Sequence, residues 1–244
     1  VKLLRNSWKK AAAAAAAVML LASSAFVLSG CAPGQAKSAA SSSVSAAAAD
    51  SQMKPGVAYV KRDPSVPYSV PEGVSVLMYH MIGDIQNNAA VMTEANLRLQ
   101  MNYLRDHGYH PITMQELYDY ITKGAPLPEK PVMITFDDGY TSNAVYAYPV
   151  LRELGFHASI FAIGCSIGHD RYYKDTQYSL TPHFGQTEIT EMLDSGLISI
   201  GSHTYDMHQW PPYETVKPAR ENMLPLPGES ETDYIHAVQT DAAR

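Results

Sequence analysis

The run Thr135-Phe136-Asp137-Asp138-Gly139-Tyr140 ends an apolar segment on two adjacent acids and a glycine. Neighbouring residues of a strand face opposite sides, so both acids can serve one place only where the strand is ending and the backbone turns. Gly139 permits that turn. Like charges side by side repel, so such a pair is favoured where a cation compensates one of them. Taken alone, Asp-Asp-Gly also reads as an ordinary turn, because all three residue types favour one.

The flanking segments indicate which kind of sheet this strand joins. Residues 74–79 read as a strand, and 93–106 as a helix with Leu97, Met101 and Leu104 on one stripe, stopped by Gly108. Residues 109–112 can form a second strand. Thr113 with Glu116 three residues on is a capping box opening a helix to residue 122, which Lys123-Gly124 ends. Strands are then expected at 131–136, 158–163 and 197–202, with helices at 142–153 and 187–194 between them. This alternation predicts an α/β fold with a parallel sheet, and the unbroken apolar run Val132-Met133-Ile134 suits a strand covered on both faces. Residues 210–228 contain five prolines and read as irregular, and 230–244 as a final helix.

The beginning of the chain concerns address. Lys2, Arg5, Lys9 and Lys10 precede an apolar run over residues 11–28, and Leu28-Ser29-Gly30-Cys31 places small residues before a cysteine. That pattern is a secretory signal peptide, and its end resembles the bacterial lipoprotein signal. Residues 1–30 are thus expected to be cleaved, with Cys31 lipidated and the product held on the outer face of a bacterial cytoplasmic membrane; ordinary cleavage that releases a free exported product is the alternative. Residues 31–70 read as an Ala/Ser-rich tether and lead-in, of which the stretch from 32 to about 53 cannot bury enough apolar surface to fold. Residues 71–244 are left as the folded domain. Loss of the leader's four positive charges lowers the formal net charge from -6 to -10, a poor surface for nucleic acid. The other cysteine, Cys165, follows an apolar run and is expected to be a small buried residue.

The second motif is His203-Thr204-Tyr205-Asp206-Met207-His208, which leaves the strand expected at 197–202. A spacing of five does not put two histidines on one helical face, but a loop leaving a strand can bend both imidazoles toward a neighbouring strand end. With the acid pair they can offer a carboxylate and two imidazoles to a divalent metal, with a carboxylate left over as a base. His80 ends the first strand as the acid pair ends the third, so it can support the site or face a substrate. Thr204 can support the loop through its hydroxyl. Trp210, or Tyr172, Tyr173 and Tyr178, can stack on the flat face of a ligand. His107, His110, His157, His169, His183 and His236 show no pattern.

Thr135 to Tyr140 resembles the first signature of the NodB-type polysaccharide deacetylases, carbohydrate esterase family four, and His203 to His208 resembles the second. The five-residue histidine spacing and the opening Leu77-Met78-Tyr79-His80 resemble a branch that includes poly-N-acetylglucosamine deacetylases. The resemblance implies an incomplete, distorted (β/α) barrel. It further implies Asp137 as general base and Asp138, His203 and His208 as ligands of one divalent metal, with zinc expected and cobalt, nickel or iron alternatives. The implied reaction is metal-dependent hydrolysis of the N-acetyl group of N-acetylglucosamine units, in peptidoglycan or in an exported glycan.

The family's later signatures, an Arg-x-Pro-Tyr-like segment, a Trp-bearing segment and a Leu-x-x-His-like segment giving the general acid, do not occur before Arg244. The resemblance therefore leaves the proton donor unassigned and suggests a reading frame cut short. A glycan-binding lipoprotein without turnover is the alternative. A glycoside hydrolase using both acids is disfavoured, since its carboxylates must stand about 5–9 Å apart across the bond.

Overall fold

The computed structural model of the protein describes residues 65–85, 88–214 and 216–244. The expected leader, Cys31 and most of the tether lie outside the described residues. The first half contains β1 (Tyr68–Ser69), β2 (Ser75–Tyr79), β3 (Met81–Ile82), β4 (Val91–Met92), α1 (Glu94–Asp106), β5 (His110–Pro111) and α2 (Met114–Lys123). There follow β6 (Leu127–Pro128), β7 (Pro131–Asp138), α3 (Tyr148–Leu154), β8 (Ala158–Ala162), α4 (Gln186–Asp194), β9 (Ile198–Ser202) and α5 (Glu231–Ala242). β2, β7, β8 and β9 lie side by side in that order, and β5 pairs with the start of β7, every pairing in this sheet being parallel. This is an α/β fold of the (β/α)-barrel type, its sheet open between β9 and β2 among the described residues.

The central strand β7 is buried from Val132 to Phe136, which is why its sequence is continuously apolar rather than alternating. Ile134, Phe136, Leu151, Ile160 and Met192 are all essentially sealed from solvent in one core between sheet and helices. Each such side chain contributes roughly 1.5–3 kcal/mol by leaving water. Leu97, Met101 and Leu104 carry the buried stripe of α1 into the same core. The capping box of α2 forms as expected: Thr113 Oγ1 accepts from the Glu116 amide, and the Glu116 carboxylate accepts from the Thr113 amide. Gly124, at φ 65°, closes that helix.

Three details depart from the sequence reading. The strand at 109–112 shrinks to two residues. The helix expected over 142–153 opens as a π turn, Asn143–Ala147, before α3 begins. Pro149 explains this, since its ring crowds the carbonyl four residues back and it offers no amide to the regular ladder; the Tyr148 amide instead reaches Asn143 five residues back. Short strands also form where none was expected, including β1, which lies within the lead-in and pairs antiparallel with β6.

The register of the long strands builds the site. Asp138 pairs with Ala162 and Ala162 with Ser202, so β7, β8 and β9 end level, while Tyr79, paired with Phe136, ends β2 two residues short of them. Beyond those ends come His80, Gly139, Ile163 and His203. The Ile163 amide donates to the Asp138 carbonyl and the His203 amide to the Ala162 carbonyl, carrying the ladder one step past the strands.

Candidate metal centre

β7 ends in two successive left-handed residues, Asp138 at φ 72° and Gly139 at φ 84°. A non-glycine residue in that region is strained, and such strain is retained where the surroundings enforce it. The turn moves Asp138 off the strand's alternation and lets both acids face the C-terminal end of the sheet. Thr204 repeats the device after β9 with φ 71°, and its hydroxyl accepts from the Met207 amide at 3.1 Å, folding the chain back so that His208 returns beside His203.

Asp138 Oδ1 stands 3.6 Å from His203 Nε2 and 3.9 Å from His208 Nε2. Both distances exceed a hydrogen bond. One atom from each of the three residues can be chosen so that all lie within 4.8 Å of one another. Two atoms each bound about 2.1 Å from a tetrahedral ion stand roughly 3.4 Å apart, so the observed spacing fits a shared cation with slight closure. The decisive observation is Asp138 Oδ1 itself: it is buried and has no hydrogen-bond partner among the described residues. A carboxylate oxygen left so costs free energy unless a positive charge meets it, and two imidazole nitrogens facing it complete a closed three-sided donor set. The residues fit a divalent metal with an open position for water.

Asp137 sits beside this group with its own partner. His80 Nε2 lies 4.0 Å from Asp137 Oδ2 across the sheet, as the pairing of Tyr79 with Phe136 requires. Burial lifts the Asp137 carboxyl above its usual range; His203 and His80 pull it back, and the charge of Asp138 adds to the rise. A carboxylate so raised accepts a proton more readily than a free one. Tyr140 follows the acid pair, and burial together with the neighbouring Asp138 charge holds its phenol protonated well beyond ordinary conditions.

A cavity of about 190 Å³ opens beside these groups, lined by Asp138, Tyr140, Ile163, His183, His208 and Trp210 among others. Trp210 is half exposed and its ring lies parallel to Tyr213 at 6.0 Å. Of the three tyrosines considered for a sugar face, Tyr172 is buried and Tyr178 is stacked on Tyr213 at 4.5 Å. Cys165 is buried as expected, and burial with the nearby Asp206 charge pushes its thiol up to about 12.

Two residues enter the site without a sequence signal. Asn143 is fully buried and donates from Nδ2 to the His80 carbonyl at 2.7 Å, fixing the main chain under that imidazole. His183 meets the Tyr140 ring at 5.0 Å, and burial lowers its pKa and favours the neutral ring. Both contacts join segments far apart in the chain, so no local spacing could reveal them.

Residues 124–224 match the family described as polysaccharide deacetylase. The poly-beta-1,6-N-acetyl-D-glucosamine N-deacetylase of Escherichia coli K12 is 31% identical over 184 residues, 70% of this chain and 25% of that one. The Bacillus subtilis protein YxkH is 39% identical over 136 residues, 56% of this chain and 44% of that one. Among solved structures, IcaB from Ammonifex degensii is 30% identical, with a TM-score of 0.57 over 70% of this chain and 66% of that one. This chain belongs to the polysaccharide deacetylase family. A de-N-acetylase from Aggregatibacter actinomycetemcomitans, at 24% identity and a TM-score of 0.54, covering 69% of this chain and 70% of that one, shares the family's fold. The chain spans less than half the length of the two curated relatives from Escherichia coli and Bacillus subtilis.

Proposed function

We propose that this protein hydrolyses the N-acetyl group of N-acetylglucosamine units in a poly-N-acetylglucosamine-type glycan. The observation carrying this reading is the buried, unpartnered Asp138 Oδ1 facing two imidazoles, with a second carboxylate of raised pKa beside it. The glycan class rests on relatives that are named for that polymer.

Asp138, His203 and His208 would hold the cation, zinc or alternatively cobalt, nickel or iron. Such a cation, when bound, acidifies water and polarises the acetyl carbonyl. Asp137 takes a proton from the attacking water. His80, 4.0 Å from Asp137 and held through its main chain by Asn143, gives a proton to the departing amine nitrogen. The C–N bond breaks, acetate leaves and the glycan keeps a free amine. His80 thereby fills the proton-donor role that the sequence left empty.

Acetate release from a β-1,6-linked N-acetylglucosamine hexamer, in the presence of zinc, tests both roles. Asp137→Asn is expected to lower kcat about 10³-fold, and His80→Ala about 10²-fold. The His80 loss should nearly vanish on an activated aryl acetate, whose leaving group needs no proton. Unchanged turnover by Asp137→Asn removes the base, and an equal loss on both substrates removes His80 as donor. Glycan binding without acetate from any protein favours the non-catalytic alternative.

We also place the reaction at the outer face of the cell membrane, through a lipid on Cys31. The support is the basic start, apolar core and small residues preceding that cysteine. A full chain that takes up no acyl label at Cys31 overturns this placement.

A further inference from the structure

The loop that carries both histidines is gripped by a carboxylate on a distant helix. Asp241 Oδ2 accepts from the Tyr205 amide at 2.7 Å, and its Oδ1 accepts from the Asp206 amide at 2.6 Å. These are successive main-chain groups in the middle of the five-residue span from His203 to His208. The other main-chain groups of that span are met differently. The Thr204 and Tyr205 carbonyls accept from the Gly164 and Cys165 amides beyond β8, and the Met207 amide donates to Thr204 Oγ1. Gly164 makes the approach possible, since a Cβ there would stand 2.8 Å from the Tyr205 ring. The two amides between them are left for Asp241.

The position of Asp241 on its own helix is otherwise unfavourable. It lies in the last turn of α5, where the exposed carbonyls already concentrate negative charge and where a basic residue is the usual choice; α5 has none there. No residue of α5 is fully buried; Tyr234, Ala237, Val238 and Asp241 form its one half-buried face, so Asp241 lies on the side turned toward the protein. Tyr234 holds the helix to the Met223 carbonyl, and Asp241 holds it to the histidine loop.

We infer that Asp241 is a positioning residue of the metal centre: its carboxylate fixes the His203–His208 loop from outside and so sets the affinity of the site for a divalent cation. The inference rests on the metal-binding reading above. A carboxylate can accept from two adjacent amides with its two oxygens, whereas an asparagine must turn its amino group toward one of them. Partners that orient metal ligands typically change affinity about 10–100-fold when lost.

The test uses the full chain as wild type, Asp241→Asn, Asp241→Glu and Asp233→Asn. Asp233 belongs to the same helix but serves its N-terminal cap at Ser230, so its change controls for loss of charge and helix stability. Zinc affinity, measured by chelator competition, is expected to fall about 10–100-fold in Asp241→Asn, to recover in part in Asp241→Glu and to stay unchanged in Asp233→Asn. Amide exchange in the metal-free proteins supplies a readout independent of the metal. Tyr205 and Asp206 should be protected in the wild type and exposed in Asp241→Asn, with the amides of β8 unaffected. Wild-type zinc affinity in a folded Asp241→Asn overturns the inference, as does equal exchange in both proteins. A wild type that binds no divalent cation while its Tyr205 and Asp206 amides are protected overturns the metal reading and leaves Asp241 as a loop clamp alone.

Discussion

Replacing Asp138 by asparagine is expected to weaken cation binding severely and, in the metal-free state, to make the protein more stable. The carboxylate is buried, its Oδ1 has no hydrogen-bond partner among the described residues, and its backbone lies at φ 72°. Asparagine removes the buried charge and tolerates the left-handed region, so at pH 8 with a chelator present the unfolding free energy should rise by about 1–2 kcal/mol. Affinity for zinc should fall by roughly a thousandfold or more, because one of three ligands loses its charge. With zinc at a hundred times the wild-type dissociation constant, the wild type gains about 2.7 kcal/mol and the variant almost nothing. The order of stability therefore reverses when metal is added. Urea unfolding of both proteins, with chelator and with zinc, reads this reversal directly. A variant less stable than the wild type in both conditions would mean that the Asp138 carboxylate is satisfied without a cation. Such a trade between stability and binding is expected where strain and unmet charge are kept for function.

The second large effect concerns Gly139. A Cβ built there stands 2.7 Å from Ala162 Cβ and 3.1 Å from Ala162 Cα, with φ at 84°. Ala162 is the rung of β8 that pairs with Asp138, and its backbone cannot yield as a flexible side chain would. Gly139→Ala should therefore cost about 2–4 kcal/mol, the sum of a left-handed backbone penalty and overpacking. It should also weaken zinc binding by pushing the ends of β7 and β8 apart. Gly108 offers an internal comparison, having φ 68° with open space around its missing Cβ. Gly108→Ala should carry only the backbone penalty, about 1–2 kcal/mol, and leave zinc binding intact. Equal losses at the two glycines in urea titrations would show that the close approach to Ala162 carries no cost.

Much of the scaffold is legible in the amino-acid sequence. The apolar run of β7, the Thr113–Glu116 capping box and the stripe on α1 are local patterns whose physical cause acts within a few residues, and each forms as expected. The π turn before α3 is not legible in the same way although its cause, Pro149, stands in the middle of the helix expected over 142–153, because a proline marks a break in the ladder without saying which turn the backbone takes around it. Among the site residues, the acid pair and the two histidines announce themselves by chemistry too costly to place together without purpose. His183 and Asn143 do not, since a single buried polar side chain has no signature until its distant partner is known.

The sequence alone determined an alternating strand and helix order, and a turn of two acids and a glycine closing the central strand, because helix periods, caps and strand hydrophobicity are properties of neighbours along the chain. Only the tertiary structure decided that Asp138, His203 and His208 converge, that His80 faces Asp137 and that Asp241 grips the histidine loop. Those depend on the register of parallel strands and on the docking of a helix, and both are set by packing between segments that no spacing in the sequence connects.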